Sequence, residues 1–104
     1  MIIAVDFDGT LCANKYPDIG HPNSLMIAVL IDARKEGNKV ILWTCRSGEK
    51  LKAAVDWCKR RGLEFDAVNE NVPEAIEKYG GDSRKIFADV YVDDKANPYW
   101  NLGG

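Results

Sequence analysis

The chain has 104 residues, of which 46% are hydrophobic and 29% are charged, and its formal net charge is −2. This length and composition are typical of one globular domain. They predict a single domain over residues 1–104 and exclude disordered, collagen-like and coiled-coil proteins. The 14 basic and 16 acidic residues nearly balance, so a nucleic-acid partner is not favoured, although charge alone does not exclude it.

The sequence also predicts where the protein is found. Its longest apolar runs, such as residues 40–43, are too short to cross a bilayer, so we expect no membrane partner. The N-terminus has neither the basic start nor the cleavage site of a signal peptide. Three widely spaced cysteines, Cys12, Cys45 and Cys58, are too few for a structural zinc site and indicate free thiols in the cytoplasm.

Apolar runs and helical patterns alternate along the chain. The continuous apolar run at residues 2–5 predicts a strand that is buried on both faces. Residues 6–22 are polar and rich in turn residues, and they leave room for a short flap at residues 11–20. A helix over residues 25–36 follows, with Ser24 as its predicted N-cap.

Three further strands and two further helices are predicted after the first helix. The expected order is a strand at 39–44, a helix at 49–61, a strand at 65–68, a short helix at 73–79 and a strand at 86–92. Such alternation predicts a parallel sheet with helices on both faces, which is a three-layer α/β/α Rossmann-like fold.

In open sheets of this kind, ligands bind beyond the carboxyl ends of the strands. The polar side chains that follow three of the predicted strands are Asp6, Asp8, Thr44, Arg46, Asp93 and Asp94. Four carboxylates in one partly desolvated cleft repel one another, so a cation must offset their charge. A hard cation that prefers oxygen ligands fits best, and the sequence therefore predicts a Mg²⁺ site.

The same residues can carry phosphoryl chemistry. An aspartate at a strand end can attack phosphorus and form an aspartyl-phosphate, while a second aspartate protonates the leaving oxygen and later activates water. Gly9 allows a sharp turn that brings loop N–H groups to a phosphate. Thr44 can donate its hydroxyl to a phosphoryl oxygen. Arg46 can either grip a phosphate or pair with Glu49 at the surface.

The segment Asp6-Phe7-Asp8-Gly9-Thr10 after an apolar strand resembles the first motif of the haloacid-dehalogenase-like (HAD) phosphatases. Further likenesses follow in the family's order, and together they cover about residues 1–95: Thr44 at the second strand end, Lys85 ahead of the fourth strand and Asp93-Asp94 at its close. The resemblance implies a HAD-like core and a Mg²⁺-dependent phosphatase acting on a phosphorylated small molecule or macromolecule.

The resemblance also implies a role for each matching residue. Asp6 would be the nucleophile and Asp8 the general acid/base, with Thr44 and Lys85 completing the catalytic set. Lys85 almost abuts the predicted strand, whereas the family's lysine usually lies further upstream, so Lys78 is the alternative.

The phosphate and metal ligands are implied in the same way. Gly9, Thr10 and Arg46 would contact the phosphate. The Asp6 side chain, the Asp8 backbone carbonyl and one of Asp93 and Asp94 would hold Mg²⁺. We favour Asp94 as the direct metal ligand, with Asp93 in support.

The chain departs from the family pattern in its length. Ten residues follow Asp94, too few for a further helix and strand, and no segment is long enough for a cap domain. We therefore expect a minimal, capless member with an open site, which suits a bulky substrate or a small one covered by another subunit. The oligomeric state stays open, because Tyr99 and Trp100 can pack either on the open sheet edge or on another chain.

Two other functions use a similar set of residues. A signalling receiver domain also combines aspartates, threonine, lysine and Mg²⁺, but its acidic pair follows the first strand and its phosphoacceptor follows a middle strand. Here the middle strands end in Thr44 and Asn69. A non-catalytic phosphate-binding module on the same fold is the second alternative, because a fold alone does not determine function.

Overall fold

A computed structural model describes residues 1–73 and 88–93. The described residues form six strands and two helices. In chain order these are β1 (Ile2–Val5), β2 (Cys12–Lys15), β3 (Asp18–Pro22), α1 (Ser24–Lys35), β4 (Lys39–Leu42), α2 (Gly48–Arg60), β5 (Ala67–Val68) and β6 (Val90–Val92). Neither of these helices has the length and apolar character needed to cross a membrane.

Four strands form a parallel sheet in the order β5-β4-β1-β6. The central strand is β1, in which Val5 pairs with Leu42 on one side and with Val92 on the other. Parallel neighbours need long crossover connections, and α1 and α2 supply these between β1 and β4 and between β4 and β5. The prediction of an α/β fold with a parallel sheet is confirmed.

The side chains of the sheet point alternately to two hydrophobic clusters. On one face, Val5 and Leu42 pack with buried residues of both helices, among them Leu30 and Trp57. Ala4 belongs to the second cluster, with Ile41, Ala67 and Val72. Fully burying such an aliphatic side chain contributes about 1.5 to 3 kcal/mol, so the two clusters hold the strand ends of the sheet in place.

The helix boundaries differ from the predictions by one residue. The two helices were expected at residues 25–36 and 49–61, and they span Ser24–Lys35 and Gly48–Arg60. The predicted N-cap of α1 was wrong. Asn23 is the cap, because its side-chain oxygen accepts a hydrogen bond from the N–H of Met26, and Ser24 is the first helical residue.

Strand β1 spans Ile2–Val5 as predicted, whereas the other three strands of the sheet are shorter than predicted. The strand expected at 39–44 ends at Leu42, the one at 65–68 is reduced to Ala67–Val68, and β6 covers Val90–Val92. One reason, for β5, is that a side chain takes the place of a backbone hydrogen-bond partner of β4. The N–H of Val40 donates to the carboxylate of Asp66 rather than to a strand.

The segment expected to be a short flap forms an antiparallel hairpin of β2 and β3. Gly20 in β3 lies against Ala13, where a Cβ atom would be 2.3 Å from the Ala13 carbonyl oxygen. No side chain larger than hydrogen fits at that position. We refer to β2 and β3 with their connecting turn as the hairpin.

Candidate functional site

Three polar residues follow neighbouring strands at the carboxyl edge of the sheet. Asp6 follows β1, Thr44 lies two residues after β4, and Asp93 follows β6. The N–H of Asp6 donates to the carbonyl of Val92 at 2.9 Å, and the N–H of Trp43 donates to the carbonyl of Val5 at 2.9 Å. These bonds continue the sheet pairing past the strands, so Asp6 lies between the chain segments that carry Thr44 and Asp93.

Asp6 is half-buried, and the turn after β1 orients its carboxylate. The Oδ1 atom accepts a hydrogen bond of 2.8 Å from the N–H of Phe7. The turn then tightens at Gly9, whose φ of 83° lies in the region that favours glycine. The sequence prediction that Gly9 permits a sharp turn is therefore confirmed.

Three N–H groups of this turn donate within the turn, so the prediction that loop N–H groups reach a phosphate is not supported for Gly9 and Thr10. The N–H of Gly9 donates to the carbonyl of Cys12 at 2.9 Å, and the N–H groups of Thr10 and Leu11 donate to the carbonyl of Phe7 at 3.1 and 2.9 Å. The physical reason is that the turn satisfies its own backbone donors. The N–H groups of Gly9 and Thr10 close the loop and leave phosphate contacts to other groups.

Thr10 is fully buried, and its hydroxyl has no hydrogen-bond partner in the described part of the chain. Its carbonyl accepts a hydrogen bond of 3.0 Å from the side-chain amide of Asn23. Asn23 therefore both caps α1 and holds the first motif against the start of that helix. Because the side chain of Thr10 is fully buried, its predicted contact with a phosphate is not supported by surface exposure and stays a prediction.

The central feature of the site is an ion pair that the sequence analysis missed. The Nε and Nη2 atoms of Arg46 donate to the two carboxylate oxygens of Asp8, each at 2.8 Å. The side chain of Arg46 is 1% exposed and that of Asp8 is 17% exposed. A two-point contact of this kind fixes the plane of the carboxylate as well as its position.

Arg46 also binds the hairpin. Its guanidinium donates to the backbone carbonyls of Pro17 and Asp18 at 3.2 and 2.9 Å, and it lies 5.0 and 5.1 Å from the ring centroids of Phe7 and Tyr16. Four of its five N–H groups thereby have partners. The hydrogen bonds to Asp8 raise the pKa of Arg46 above its ordinary value despite burial, so the guanidinium stays charged.

This placement revises the two roles considered for Arg46. A surface pair with Glu49 was wrong, because the arginine is buried against Asp8. Phosphate binding by Arg46 stays a prediction, and one N–H group remains for it once the contacts to Asp8, Pro17 and Asp18 are made. A signal for the ion pair was present in the sequence, since Arg46 and Asp8 were both predicted to follow strands at the same edge of the sheet.

Thr44 is half-buried, and hydrogen bonds fix both its hydroxyl oxygen and its backbone N–H. Its Oγ1 accepts a hydrogen bond of 3.2 Å from the N–H of Arg46, and its N–H donates to the Oδ1 of Asn69 at 2.7 Å. Within residues 1–73 and 88–93 the hydroxyl of Thr44 makes no hydrogen bond as a donor, so its proton can be directed to a phosphoryl oxygen. Asn69, with a φ of 54°, is a positioning residue that the sequence analysis did not identify. Its place directly after the third predicted strand was the available signal.

Asp93 is half-buried and follows β6 as predicted. Asp94 and Lys85, as well as the alternative lysine Lys78 and the C-terminal Tyr99 and Trp100, lie outside the described residues. Within residues 1–73 and 88–93, no three His, Cys, Asp or Glu side chains are close enough to hold a metal ion. The described part of the predicted metal site therefore consists of the carboxylates of Asp6 and Asp93 on adjacent strand ends and the backbone carbonyl of Asp8.

A cavity of about 310 Å³ opens beside Asp8 and Arg46. Its other walls come from Asn14 and Tyr16 of the hairpin and from Cys45, which is exposed. The ammonium group of Lys50 lies 5.4 Å from the centroid of the Tyr16 ring. The hairpin therefore lines one side of the cavity, and Asp8 and Arg46 line another.

The sequence matches no protein-family model, and a search of curated proteins finds no match. Among solved structures, the chain is similar to a conserved protein from Bacteroides thetaiotaomicron, with 43% sequence identity and a TM-score of 0.81. The similarity covers 100% of this chain and 79% of that chain. It therefore includes the sheet, the hairpin and the strand ends described above.

Proposed function

We propose that this chain, which belongs to the same family as the conserved Bacteroides thetaiotaomicron protein, is a Mg²⁺-dependent phosphomonoester hydrolase that acts through an aspartyl-phosphate. The observation that supports this most is the placement of Asp6 between the segments that carry Thr44 and Asp93. Oxygen and hydroxyl groups at the carboxyl ends of three adjacent parallel strands are suited to phosphoryl transfer.

In the proposed reaction, an oxygen of Asp6 attacks phosphorus and the bond from phosphorus to the leaving oxygen breaks. The contact between Oδ1 and the N–H of Phe7 orients the carboxylate for this attack. Asp8 takes up a proton from solvent in exchange for one of its two hydrogen bonds from Arg46, and it gives this proton to the leaving oxygen. It then takes a proton from water, which attacks the phosphoaspartate, releases phosphate and restores the Asp6 carboxylate.

Thr44 binds a phosphoryl oxygen in this scheme, because its hydroxyl accepts from the N–H of Arg46 and is left to donate. Lys85 is proposed to balance the remaining negative charge. Arg46 positions Asp8 through the two 2.8 Å hydrogen bonds. The cavity of about 310 Å³ beside Asp8 is where a leaving group would lie.

The donor chemistry of the site fits Mg²⁺, since two carboxylates on adjacent strand ends provide hard oxygen ligands. The proposed ligands are the Asp6 side chain, the Asp8 backbone carbonyl and Asp94, with Asp93 in support. When bound, the ion would neutralise the charge shared by the carboxylates and the phosphoryl group.

The proposal also covers the fold, the substrate class and the cellular location of the protein. We propose a three-layer HAD-like core without a cap domain, in which the apolar cluster of Ala4 and Ile41 marks the second face of the sheet. The substrate is a phosphorylated small molecule or macromolecule. A cytoplasmic location is supported by three cysteines that are all unbridged.

The test is phosphate release from a broad panel of phosphomonoesters, measured with Mg²⁺ and with a chelator. We expect turnover that requires Mg²⁺ and is abolished in Asp6→Asn, while the exposed Asp56→Asn variant on α2 behaves as the parent. Undiminished turnover in a pure Asp6→Asn preparation would falsify the proposal. Phosphate binding without turnover in the parent would favour the non-catalytic phosphate-binding module.

A further inference from the structure

Three shallow clefts adjoin one another on the side of the molecule formed by α1, α2 and the hairpin. Their volumes are about 340, 300 and 270 Å³. The first two share Pro22 and Arg61 as lining residues, and the last two share Ile31. We call this continuous depression the α1–α2 groove. It begins at the hairpin and ends near the last turn of α1.

The groove is basic, although the whole chain carries a net charge of −2. Its lining includes Lys15, Arg34, Lys35 and Arg61, whereas Asp18 is the one acidic residue among the described residues that line it. Arg34 is already paired with a carboxylate inside the protein. Of the other three cations, Lys15 and Lys35 lie at the two ends of the groove and Arg61 lies in its middle. Together they attract a negatively charged ligand.

The floor of the groove is apolar. Ala28 and Ile31 of α1 provide the accessible apolar surface in its middle, and the mostly buried side chains of Ile27 and Trp57 lie beneath it. The guanidinium of Arg61 lies 3.9 Å from the centroid of the Trp57 ring. Apolar contacts below and cations above are the features that an amphipathic acidic segment requires.

We propose that the α1–α2 groove is a docking site for an acidic peptide segment of a partner protein, with apolar side chains between its carboxylates. A single-stranded nucleic acid fits less well, because such ligands need aromatic rings on which bases can stack. Trp57 is 7% exposed and its ring is covered by Arg61. The acidic balance of the whole chain also disfavours a nucleic acid.

The groove is separate from the candidate active site. Side chains alternate along a strand, and the structure follows this rule in β2 and the turn after it. Lys15 lines the groove, whereas its neighbours Asn14 and Tyr16 line the cavity beside Asp8. The docking site thus goes beyond the proposed phosphatase function and does not depend on it.

The test compares two double variants of the full chain that change the net charge equally. Lys15→Gln with Lys35→Gln removes two exposed cations of the groove, and Lys52→Gln with Lys59→Gln removes two exposed lysines of α2 that do not line it. Binding of a fluorescent synthetic peptide of alternating glutamate and leucine residues is measured by anisotropy. A serine and leucine peptide and a single-stranded oligodeoxynucleotide serve as comparison probes.

We expect saturable binding of the acidic peptide that weakens as the salt concentration rises. The groove variant should bind about fivefold more weakly and the control variant as the parent does. Absence of saturable binding, an equal loss in both variants, or tighter binding of the oligodeoxynucleotide or the serine peptide would each overturn the proposal. Phosphatase activity in either variant has no bearing on it, so failure of the docking site and failure of the proposed function are distinguishable.

Discussion

Arg46 holds both carboxylate oxygens of Asp8 at 2.8 Å and, with the same guanidinium, the carbonyls of Pro17 and Asp18 in the hairpin. One buried side chain therefore links the first motif, the segment after β4 and the hairpin. A shift of the hairpin would move Asp8, and a change at Asp8 would loosen the hairpin. Arg46 is a positioning residue whose loss should affect both stability and activity.

Replacement of Arg46 by methionine should lower the free energy of unfolding by about 3 to 5 kcal/mol, because it deprives the Asp8 carboxylate and the carbonyls of Pro17 and Asp18 of a buried partner. Arg34→Met is the matched control. Arg34 also makes a two-point contact with an aspartate, Asp66, but its side chain is 32% exposed, against 1% for Arg46. We expect Arg34→Met to cost clearly less, about 1 kcal/mol. Urea denaturation measures the free energy of unfolding of both variants. An equal loss in the two would show that burial of the arginine side chain does not strengthen the ion pair.

The conservative variant Arg46→Lys tests the positioning role in catalysis. A lysine keeps the charge but lacks the planar fork that holds both oxygens of Asp8. If the proposed function is right, kcat should fall by about 10- to 100-fold with little change in KM, since a misplaced proton donor slows the chemical step and leaves substrate binding intact. A raised KM with unchanged kcat would instead indicate that Arg46 binds the substrate.

The N-cap of α1 can be tested with two adjacent variants. Asn23→Ala removes the hydrogen bond to Met26 and the one to the Thr10 carbonyl, so the free energy of unfolding should fall by about 1 to 2 kcal/mol. Ser24→Ala alters an exposed first residue of the helix and should change it by less than about 0.5 kcal/mol. Chemical denaturation measures the free energy of unfolding of both variants and shows which residue is the N-cap. A larger loss in Ser24→Ala would mean that the helix begins one residue later.

The sequence pattern predicted the parts of the fold that depend on neighbours along the chain. The apolar run of β1 and the glycines that follow the helices, such as Gly37, are local signals. The observed helix boundaries agree with the boundaries predicted from these signals to within one residue. Asn23 and Ser24 are both good caps, and local pattern does not distinguish adjacent candidates. The order of the polar strand ends along the chain predicted that Asp6 and Thr44 would lie near each other.

The contacts that complete the site join distant parts of the chain. Asp8 and Arg46 are 38 positions apart, and Thr44 and Asn69 are 25 apart. No periodicity reports which of several nearby polar groups will pair, because the choice depends on side-chain geometry in the folded chain. The segment that forms the hairpin was expected to be a short flap, since residues 6–22 are polar and rich in turn residues.

The three cysteines should differ sharply in reactivity. Burial raises the pKa of the Cys58 thiol to about 12, and it also raises the pKa of Cys12, whereas Cys45 is exposed beside the candidate site. Because the thiolate is the reactive form, a disulfide reagent such as Ellman's should modify one thiol per native chain rapidly and all three in denaturant. The rapid phase should disappear in Cys45→Ser. Rapid modification of a second thiol in the native protein would show that Cys12 or Cys58 is more accessible than the structure indicates.

The ion pair between Asp66 and Arg34 should make stability depend on pH. Burial alone would raise the pKa of Asp66, but hydrogen bonds from Arg34 and from the N–H of Val40 outweigh it and hold the pKa below its ordinary value of 3.8. A carboxyl whose pKa is lowered in the folded state stabilises the protein above its unfolded pKa, and this stabilisation is lost as the pH falls through the folded value. Asp66→Asn should therefore cost about 1 to 3 kcal/mol at pH 7, and the difference from the parent should shrink below about pH 4. Denaturation curves of the parent, Asp66→Asn and the exposed control Asp56→Asn, recorded from pH 7 downward, measure this. A difference that stays constant to the lowest pH would show that Asp66 stabilises the fold by packing and not by its charge.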